Sequence, residues 1–256
     1  MRAIVYDPLA PANLRFAEVD EPAVAAHEAL VDVQAIALNF GELHFIDHAR
    51  KPGEIPGWDT AGIVAQAAAD GSGPPVGARV VGLNFGGGWA QRRAIATENL
   101  AVLPEFVEFE EAAALPVAGV TALQALRALG PVVGRRVLIT GASGGVGRFA
   151  VQLAARAGAH VIAAVGSPAR GAGLEELGAA EVTVGLDEIS EPVFGGARQR
   201  RRPPAGAGVP ARGRRWLGAV DRDGLQRAHH DQLRGGAPAG LPETVGAVRD
   251  PDADRR

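Results

Sequence analysis

The chain has 256 residues, no cysteine and a formal net charge of −3 at pH 7, and 47% of its residues are hydrophobic. Without cysteine it can form neither disulfides nor thiolate metal sites, and the small negative charge argues against a nucleic-acid partner for the chain as a whole. No apolar run approaches the roughly 18 residues of a membrane span. The first six residues are strand-like rather than a signal peptide, which predicts a cytoplasmic protein without a membrane partner.

Residues 1–115 are predicted to form a compact β-rich domain. Their apolar runs are short and are separated by glycine, proline and acidic clusters, a spacing that indicates β-strands rather than a βαβ unit. The predicted strands lie at 29–37, 60–67, 78–83 and 90–97.

A helical pattern at 105–129, interrupted by Pro116 and Gly119, leads into a strand, a glycine-rich turn and another helix. Residues 136–147 have the sequence Arg-Val-Leu-Ile-Thr-Gly-Ala-Ser-Gly-Gly-Val-Gly. Such a unit seats a dinucleotide pyrophosphate, because glycines let the backbone approach the phosphates and the helix N-terminus faces the negative charge. A plain βα turn is the alternative. The residues predicted to bind the cofactor here are Ser143, Gly144, Gly145, Val146 and Gly147.

The next segment predicts half of a doubly wound parallel sheet. Residues 160–165 and 181–184 are strand-like. Between them, Ser167 followed by Pro168 has the pattern of a helix N-cap, opening a helix that extends to about residue 177. With the strand before the glycine turn, this gives the order β-α-β-α-β of an α/β domain.

The end of the second strand in this unit predicts which dinucleotide is bound. In NAD-binding versions an acidic side chain, about 20 residues beyond the glycines, accepts hydrogen bonds from the adenosine ribose. Here residues 166–170 contain no carboxylate but include Ser167 and Arg170. A hydroxyl and a guanidinium suit a 2′-phosphate, which favours NADP over NAD. Alternatively, Ser167 is only a helix cap and Arg170 a solvated residue.

The composition changes near Phe194. Acidic residues outnumber Arg and Lys before this point, whereas Arg outnumbers the acidic residues after it and apolar periodicity is lost. Residues 195–256 are therefore predicted to be a disordered Arg/Ala/Gly/Pro tail, leaving the parallel sheet with about three strands. A frameshifted or truncated product is the favoured explanation. A basic arm for nucleic acid or an acidic partner is the alternative.

Four motifs carry a resemblance to a known family. They are Ala-Leu-Asn-Phe at 37–40, Pro-Gly-Trp-Asp-Thr-Ala-Gly at 56–62, Ala-Leu-Pro-Val-Ala-Gly-Val-Thr-Ala at 114–122 and Thr-Gly-Ala-Ser-Gly-Gly-Val-Gly at 140–147. The chain resembles a zinc-independent, quinone oxidoreductase-like medium-chain dehydrogenase/reductase from residue 1 to about 194. This implies a GroES-like β domain at 1–115, a partial Rossmann NADP-binding domain at 116–194, and a C-terminal segment returning to the first domain, which is missing here.

The resemblance also bears on zinc. Zinc-dependent relatives hold the metal with Cys and His, one near the helix after the third strand and one in a Gly-His-Glu motif. This chain has Asn39 near the first place and Trp58 at the second, and neither supplies a thiolate or imidazole. We therefore expect no metal site.

Without zinc, hydride transfer needs a donor for the developing enolate or phenolate oxygen. The resemblance offers Asn39 as a polar group in the cleft and places His44 about where many relatives have a tyrosine. An imidazole could donate a proton or hydrogen bond. Alternatively, Asn39 and His44 are both ordinary loop or helix-end residues, a role that is equally plausible for His44. Thr121 lies in the motif that passes near the nicotinamide in relatives, with helix packing as its alternative role.

These patterns together predict an NADPH-dependent reductase of quinones or other α,β-unsaturated carbonyls, with a small-molecule substrate. Two alternatives remain: a non-catalytic truncated product, and an enoyl reductase module acting on carrier-bound thioesters. Relatives are usually homo-oligomers that pair through an edge strand of the Rossmann sheet. The sequence of this chain predicts no such edge strand, so its oligomeric state cannot be predicted.

Overall fold

The computed structural model describes residues 1–47 and 50–186 and the backbone of 195–197. The chain divides into two compact units, Met1–Thr121 and Ala122–Arg256. Within the described ranges, none of the helices combines the length and the apolar character needed to cross a bilayer. Apart from 195–197, the predicted disordered tail lies outside the described residues.

The first unit contains a five-stranded antiparallel sheet and a separate two-stranded hairpin. The strands are β1 (Arg2–Tyr6), β2 (Leu14–Glu18), β3 (Glu28–Ile36), β4 (Asp59–Gln66), β5 (Arg79–Leu83), β6 (Arg92–Ala96) and β7 (Leu100–Val102). The sheet order is β6-β3-β4-β5-β7, and β1 pairs with β2 in the hairpin. The four predicted strands of this unit are confirmed, each within two residues of its predicted bounds.

One face of this sheet builds a core from alternating apolar residues. Side chains two apart along a strand point to the same face, so the pattern of β3 places Ala29 and Val31 together. They pack with the central residues Val64, Val80 and Ile95 of the neighbouring strands, and all five are at most 1% exposed. Burying these apolar side chains from solvent is the main stabilisation of the sheet.

The α-helices of the first unit are α1 (Phe40–His44) and α2 (Phe109–Ala113). A π-helical segment at Leu115–Gly119 follows α2, and α3 (Val120–Leu129) begins in the first unit and continues into the second. The predicted interruption at Pro116 is confirmed. Proline has no N–H to donate to the preceding turn, and the backbone widens into a π-helical turn there.

The second unit is built on a parallel sheet. Its described elements are β8 (Arg136–Thr140), α4 (Gly145–Arg156), β9 (His160–Val165), β10 (Glu181–Val184) and β11 (Gly195–Ala197). The strand order in the sheet is β10-β9-β8-β11. Strands β9 and β10 have the predicted bounds. The apolar face of α4 packs against β8 and β9 through Ala150, Val151 and Ala154, which are at most 1% exposed.

A fourth parallel strand corrects the prediction that the sheet ends after three. Residues 195–197 pair with β8, with Gly195 opposite Val137 and Ala197 opposite Ile139. The Gly-Gly-Ala sequence carries no apolar alternation that could have signalled a strand. The position beside β8 is instead determined by the open hydrogen-bonding edge of that strand.

The segment after β9 also differs from its prediction. In place of a helix to residue 177 there is a short 3₁₀ helix, Pro168–Gly171, followed by turns. Glycines explain the early end, because Gly173 adopts a positive φ of +76° that a continuing right-handed helix does not allow. Ser167 occupies the N-cap position, but its side chain makes no capping hydrogen bond.

Candidate functional site

A buried polar cluster follows β3 in the first unit. Asn39 is the N-cap of α1, and the Glu42 carboxylate accepts hydrogen bonds from the backbone N–H of Asn39 and, at 2.6 Å, from that of Trp58. The side-chain Nδ2 of Asn39 donates to Oδ2 of Asp59 at 2.9 Å. A helix that starts in this way holds the Asn39 amide against the first residue of β4.

Both carboxylates of this cluster are almost completely buried, Glu42 at 1% and Asp59 at 0% exposure. Burial is the main cause that raises the pKa of each, and it raises the pKa of Asp59 to about 6. Hydrogen bonds from Asn39 and the Val117 backbone, and the charge of Arg93, oppose the rise at Asp59. No hydrogen bond of normal geometry from another described group reaches Oδ1 of Asp59.

Arg93 organises the loops beside this cluster and was missed by the sequence analysis. It is 2% exposed, and its guanidinium donates to the carbonyls of Trp58, Asn84 and Gly86 at 2.6–2.7 Å. Burial lowers its pKa to about 10, and the nearby carboxylates oppose that change. The sequence did contain a signal, because Arg93 and Ile95 are two residues apart in β6 and therefore face the same buried side.

Aromatic side chains surround α1. The Trp58 ring packs so closely on Gly41 that a Cβ added to this glycine would lie 2.6 Å from it. Phe85 contacts Trp58 edge to face, with 5.4 Å between ring centroids. His44, at the end of α1, is exposed and stacks on Phe40 at 4.8 Å. The structure thus joins Asn39 to Asp59 and leaves His44 in an aromatic stack on the helix surface.

Asn39 lies near the first zinc-ligand place of zinc-dependent relatives and Trp58 lies at the second, and both side chains are engaged in this packing. The Asn39 amide is bound to Asp59, and the Trp58 ring covers Gly41. Among residues 1–47 and 50–186, no group of three or more His, Cys, Asp or Glu side chains is arranged to hold a metal ion.

In the second unit, the glycine-rich turn between β8 and α4 has the geometry of a phosphate-binding loop. Gly141 has a φ of +65°, and a Cβ on Gly147 would lie 2.3 Å from the Gly141 carbonyl oxygen, so both positions require glycine. Gly144 and Gly145 are exposed at the start of α4, whose first N–H groups have no intrahelical acceptor. A dinucleotide pyrophosphate fits this loop.

The other predicted cofactor-binding residues lie in both units: Thr121 belongs to the first unit, and Ser143, Val146, Ser167 and Arg170 belong to the second. Ser143 is half-buried within the turn, and Val146 is in the first turn of α4. Ser167 and Arg170 follow β9, and in the described part of the chain neither side chain forms a hydrogen bond or ion pair with another residue. Thr121 is the second residue of α3 and is half-buried.

Comparisons with known proteins agree with this architecture. The profile of the alcohol dehydrogenase GroES-like domain matches residues 25–115. A chloroplastic quinone-oxidoreductase of Triphysaria versicolor is 37% identical over 186 residues, covering 65% of this chain and 56% of the relative. An acrylyl-CoA reductase of Ruegeria pomeroyi is 34% identical over 216 residues, covering 77% of this chain and 61% of the relative.

Among solved structures, the quinone oxidoreductase of Thermus thermophilus, determined also in complex with NADPH, superimposes with a TM-score of 0.64. The identity is 31%, over 79% of this chain and 68% of that one. The chain belongs to the zinc-independent, quinone oxidoreductase-like branch of the medium-chain dehydrogenase/reductases. This quinone oxidoreductase-like chain spans about half the length of the first curated relatives that it matches.

Proposed function

We propose that this chain is an NADPH-dependent oxidoreductase that reduces quinones or other α,β-unsaturated carbonyls without zinc. The observation that carries the proposal is the loop from Gly141 to Gly147, whose close backbone approach and exposed glycines fit a pyrophosphate. The similarity to a Thermus thermophilus quinone oxidoreductase solved with NADPH supports it.

In this proposal the second unit holds the cofactor. Backbone groups of Ser143 to Gly147 bind the pyrophosphate through the N-terminus of α4. The side chains of Ser167 and Arg170, which have no partner among the described residues, bind the adenosine 2′-phosphate and favour NADPH over NADH. Thr121 is assigned to the nicotinamide side of the cofactor. When bound, NADPH supplies a hydride.

The first unit is proposed to stabilise the substrate oxygen. As the conjugated carbon of the acceptor gains a hydride, negative charge develops on its carbonyl oxygen, and a hydrogen-bond donor lowers the energy of that charge. Asn39 still has one amide hydrogen beyond the one directed at Asp59. His44 is assigned as the proton donor, because its ring is exposed at the end of α1 and an imidazole is a common general acid.

A second candidate substrate class is an enoyl thioester, which the similarity to an acrylyl-CoA reductase favours. The two classes share hydride delivery to a conjugated carbon and differ in what is attached to the carbonyl. The test is to measure NADPH oxidation by the 256-residue protein with 1,4-naphthoquinone, with a simple enone and with acrylyl-CoA. Faster turnover of the quinone or enone supports the main proposal. Turnover of acrylyl-CoA alone supports the second candidate, and no NADPH oxidation with any acceptor contradicts both.

A further inference from the structure

One face of α4 is directed at the segment that follows β9 and its 3₁₀ helix. A Cβ on Gly178 would lie 2.6 Å from the Cβ of Ala155, and a Cβ on Gly173 would lie 3.6 Å from Nη2 of Arg148. Arg148 and Ala155 are seven residues apart, so they share one helix face. Of these two residues, Arg148 is nearer the N-terminus of α4. Its guanidinium lies beside Gly173, which is three residues after Arg170.

Arg148 is half-buried, and its guanidinium has no partner in the part of the chain that the structure describes. The side chain forms neither a hydrogen bond nor an ion pair within 4.0 Å there. Glu176 lies on the same segment, with its Oε2 3.2 Å from the same Gly173 Cβ position, but it does not pair with Arg148. A partly desolvated, unpaired guanidinium suits a ligand anion, because its planar fork matches phosphate oxygens.

The position of Arg148 limits which anion it can meet. Its backbone stands directly after Gly147, beside the proposed pyrophosphate loop, while its side chain extends towards the segment that begins with Ser167 and Arg170. In a bound NADPH molecule, the phosphate expected between the pyrophosphate loop and this segment is the 2′-phosphate of the adenosine ribose. We propose that Arg148 is a second cationic ligand of the NADPH 2′-phosphate, and that it acts with Arg170 to determine cofactor specificity. This inference rests on the proposed NADPH dependence.

The test measures binding and does not depend on turnover. The 256-residue protein and its Arg148→Ala and Arg148→Lys variants are titrated calorimetrically with NADPH, NADH, 2′,5′-ADP and 5′-ADP. Loss of one charged hydrogen-bonding group typically weakens binding about tenfold. We therefore expect Arg148→Ala to weaken NADPH and 2′,5′-ADP about tenfold and to change NADH and 5′-ADP less than twofold. Arg148→Lys keeps the charge but loses the fork, so an intermediate loss is expected.

Arg156→Ala is the matched control, because it removes the same charge from the exposed C-terminal end of the same helix. It should leave all four affinities within twofold. Combining Arg148→Ala with Arg170→Ala should make NADPH and NADH bind almost equally. Circular dichroism of each variant verifies that the fold is intact.

Two results would overturn the role of Arg148 while leaving NADPH dependence in place. Equal weakening of NADPH and NADH would assign Arg148 to the pyrophosphate, and unchanged affinities would exclude it from the cofactor site. A wild-type protein that binds NADPH no more tightly than NADH would instead contradict the proposed cofactor preference itself.

Discussion

Asn39 and Asp59 are 20 residues apart in the chain and are joined by a 2.9 Å hydrogen bond from Nδ2 to Oδ2. The bond fixes the amide of a proposed catalytic residue against a fully buried carboxylate at the start of β4. The orientation of Asn39 therefore depends on the protonation state of Asp59, whose carboxyl group is costly to ionise in this buried environment.

The first prediction concerns the pH dependence of stability. Burial raises the pKa of Asp59 from 3.8 to about 6, so the folded protein binds a proton more tightly than the unfolded chain does. The stabilisation that protonated Asp59 gives the folded state is fully present below pH 3.8 and is lost as pH rises through 6. The free energy of unfolding should fall by about 3 kcal/mol over this range. The Asp59→Asn variant carries a neutral side chain of the same shape, so its stability should not show this fall as pH rises. Urea unfolding at pH 4 and pH 7.5 measures the difference.

Wild type should therefore become less stable relative to Asp59→Asn as pH increases from 4 to 7.5. Glu42, which lies close to Asp59, and Arg93 are the other charged groups of the cluster, and both are unchanged in this variant. Asp20→Asn, at an exposed position, is the control and should follow wild type. A constant difference between Asp59→Asn and wild type across this range would show that Asp59 has an ordinary pKa.

Arg93 is the subject of the second prediction. Arg93→Lys cannot reproduce the fork that reaches the carbonyls of Trp58, Asn84 and Gly86, so buried acceptors lose their donors. We expect the free energy of unfolding to fall by about 2–4 kcal/mol. The neighbouring Arg92→Lys alters a partly exposed arginine that pairs with Asp32, and should change stability by about 1 kcal/mol or less. Similar effects in the two variants would contradict the organising role of Arg93.

The strands were largely predictable because their apolar residues either alternate, as in β5 and β6, or form a short continuous run, as in β9. The bounds of β9, for example, follow from five consecutive buried residues ended by Gly166. The helix predicted after Ser167 failed because its N-terminal signal is strong but Gly171 and Gly173 end it within one turn. A capping pattern indicates where a helix can begin and does not determine its length.

The site was predictable only in part, for physical reasons. The glycine turn encodes its own geometry, since Gly147 must approach the Gly141 carbonyl, and this requirement is visible in the sequence. The pairing of Asn39 with Asp59 depends on how two strands and a helix meet, which no local pattern records. Arg93 was missed because a charged residue is ordinarily expected at the surface.

The third prediction separates the structural and the binding roles of the glycine turn. Gly147→Ala places a Cβ 2.3 Å from a backbone oxygen, so it should destabilise the fold and abolish NADPH binding. Gly144→Ala meets the same oxygen at 3.4 Å, in an extended backbone conformation that alanine adopts. It should reduce stability by about 1 kcal/mol or less and still weaken NADPH binding. Thermal unfolding and calorimetry measure the two effects, and intact NADPH binding by both variants would exclude this turn as the pyrophosphate site.

A fourth prediction concerns metal. Asn39, near the first zinc-ligand place of zinc-dependent relatives, and Trp58, at the second, are engaged with Asp59 and Gly41. Dialysis against a strong chelator should leave NADPH binding and quinone reduction unchanged, and elemental analysis should find no stoichiometric zinc. One zinc per chain that is required for activity would overturn the proposed zinc-free chemistry.

The proposed reaction is hydride transfer from NADPH to a conjugated carbon, and the position of an isotope label in the product shows whether it occurs. The 256-residue protein is incubated with NADPH carrying deuterium on the transferable C4 position and with an α,β-unsaturated ketone, and the product is analysed by NMR. The proposed function predicts one deuterium at the former β-carbon of the ketone and a solvent-derived proton at the α-carbon. A saturated product without deuterium at the β-carbon, or no saturated product, would contradict it.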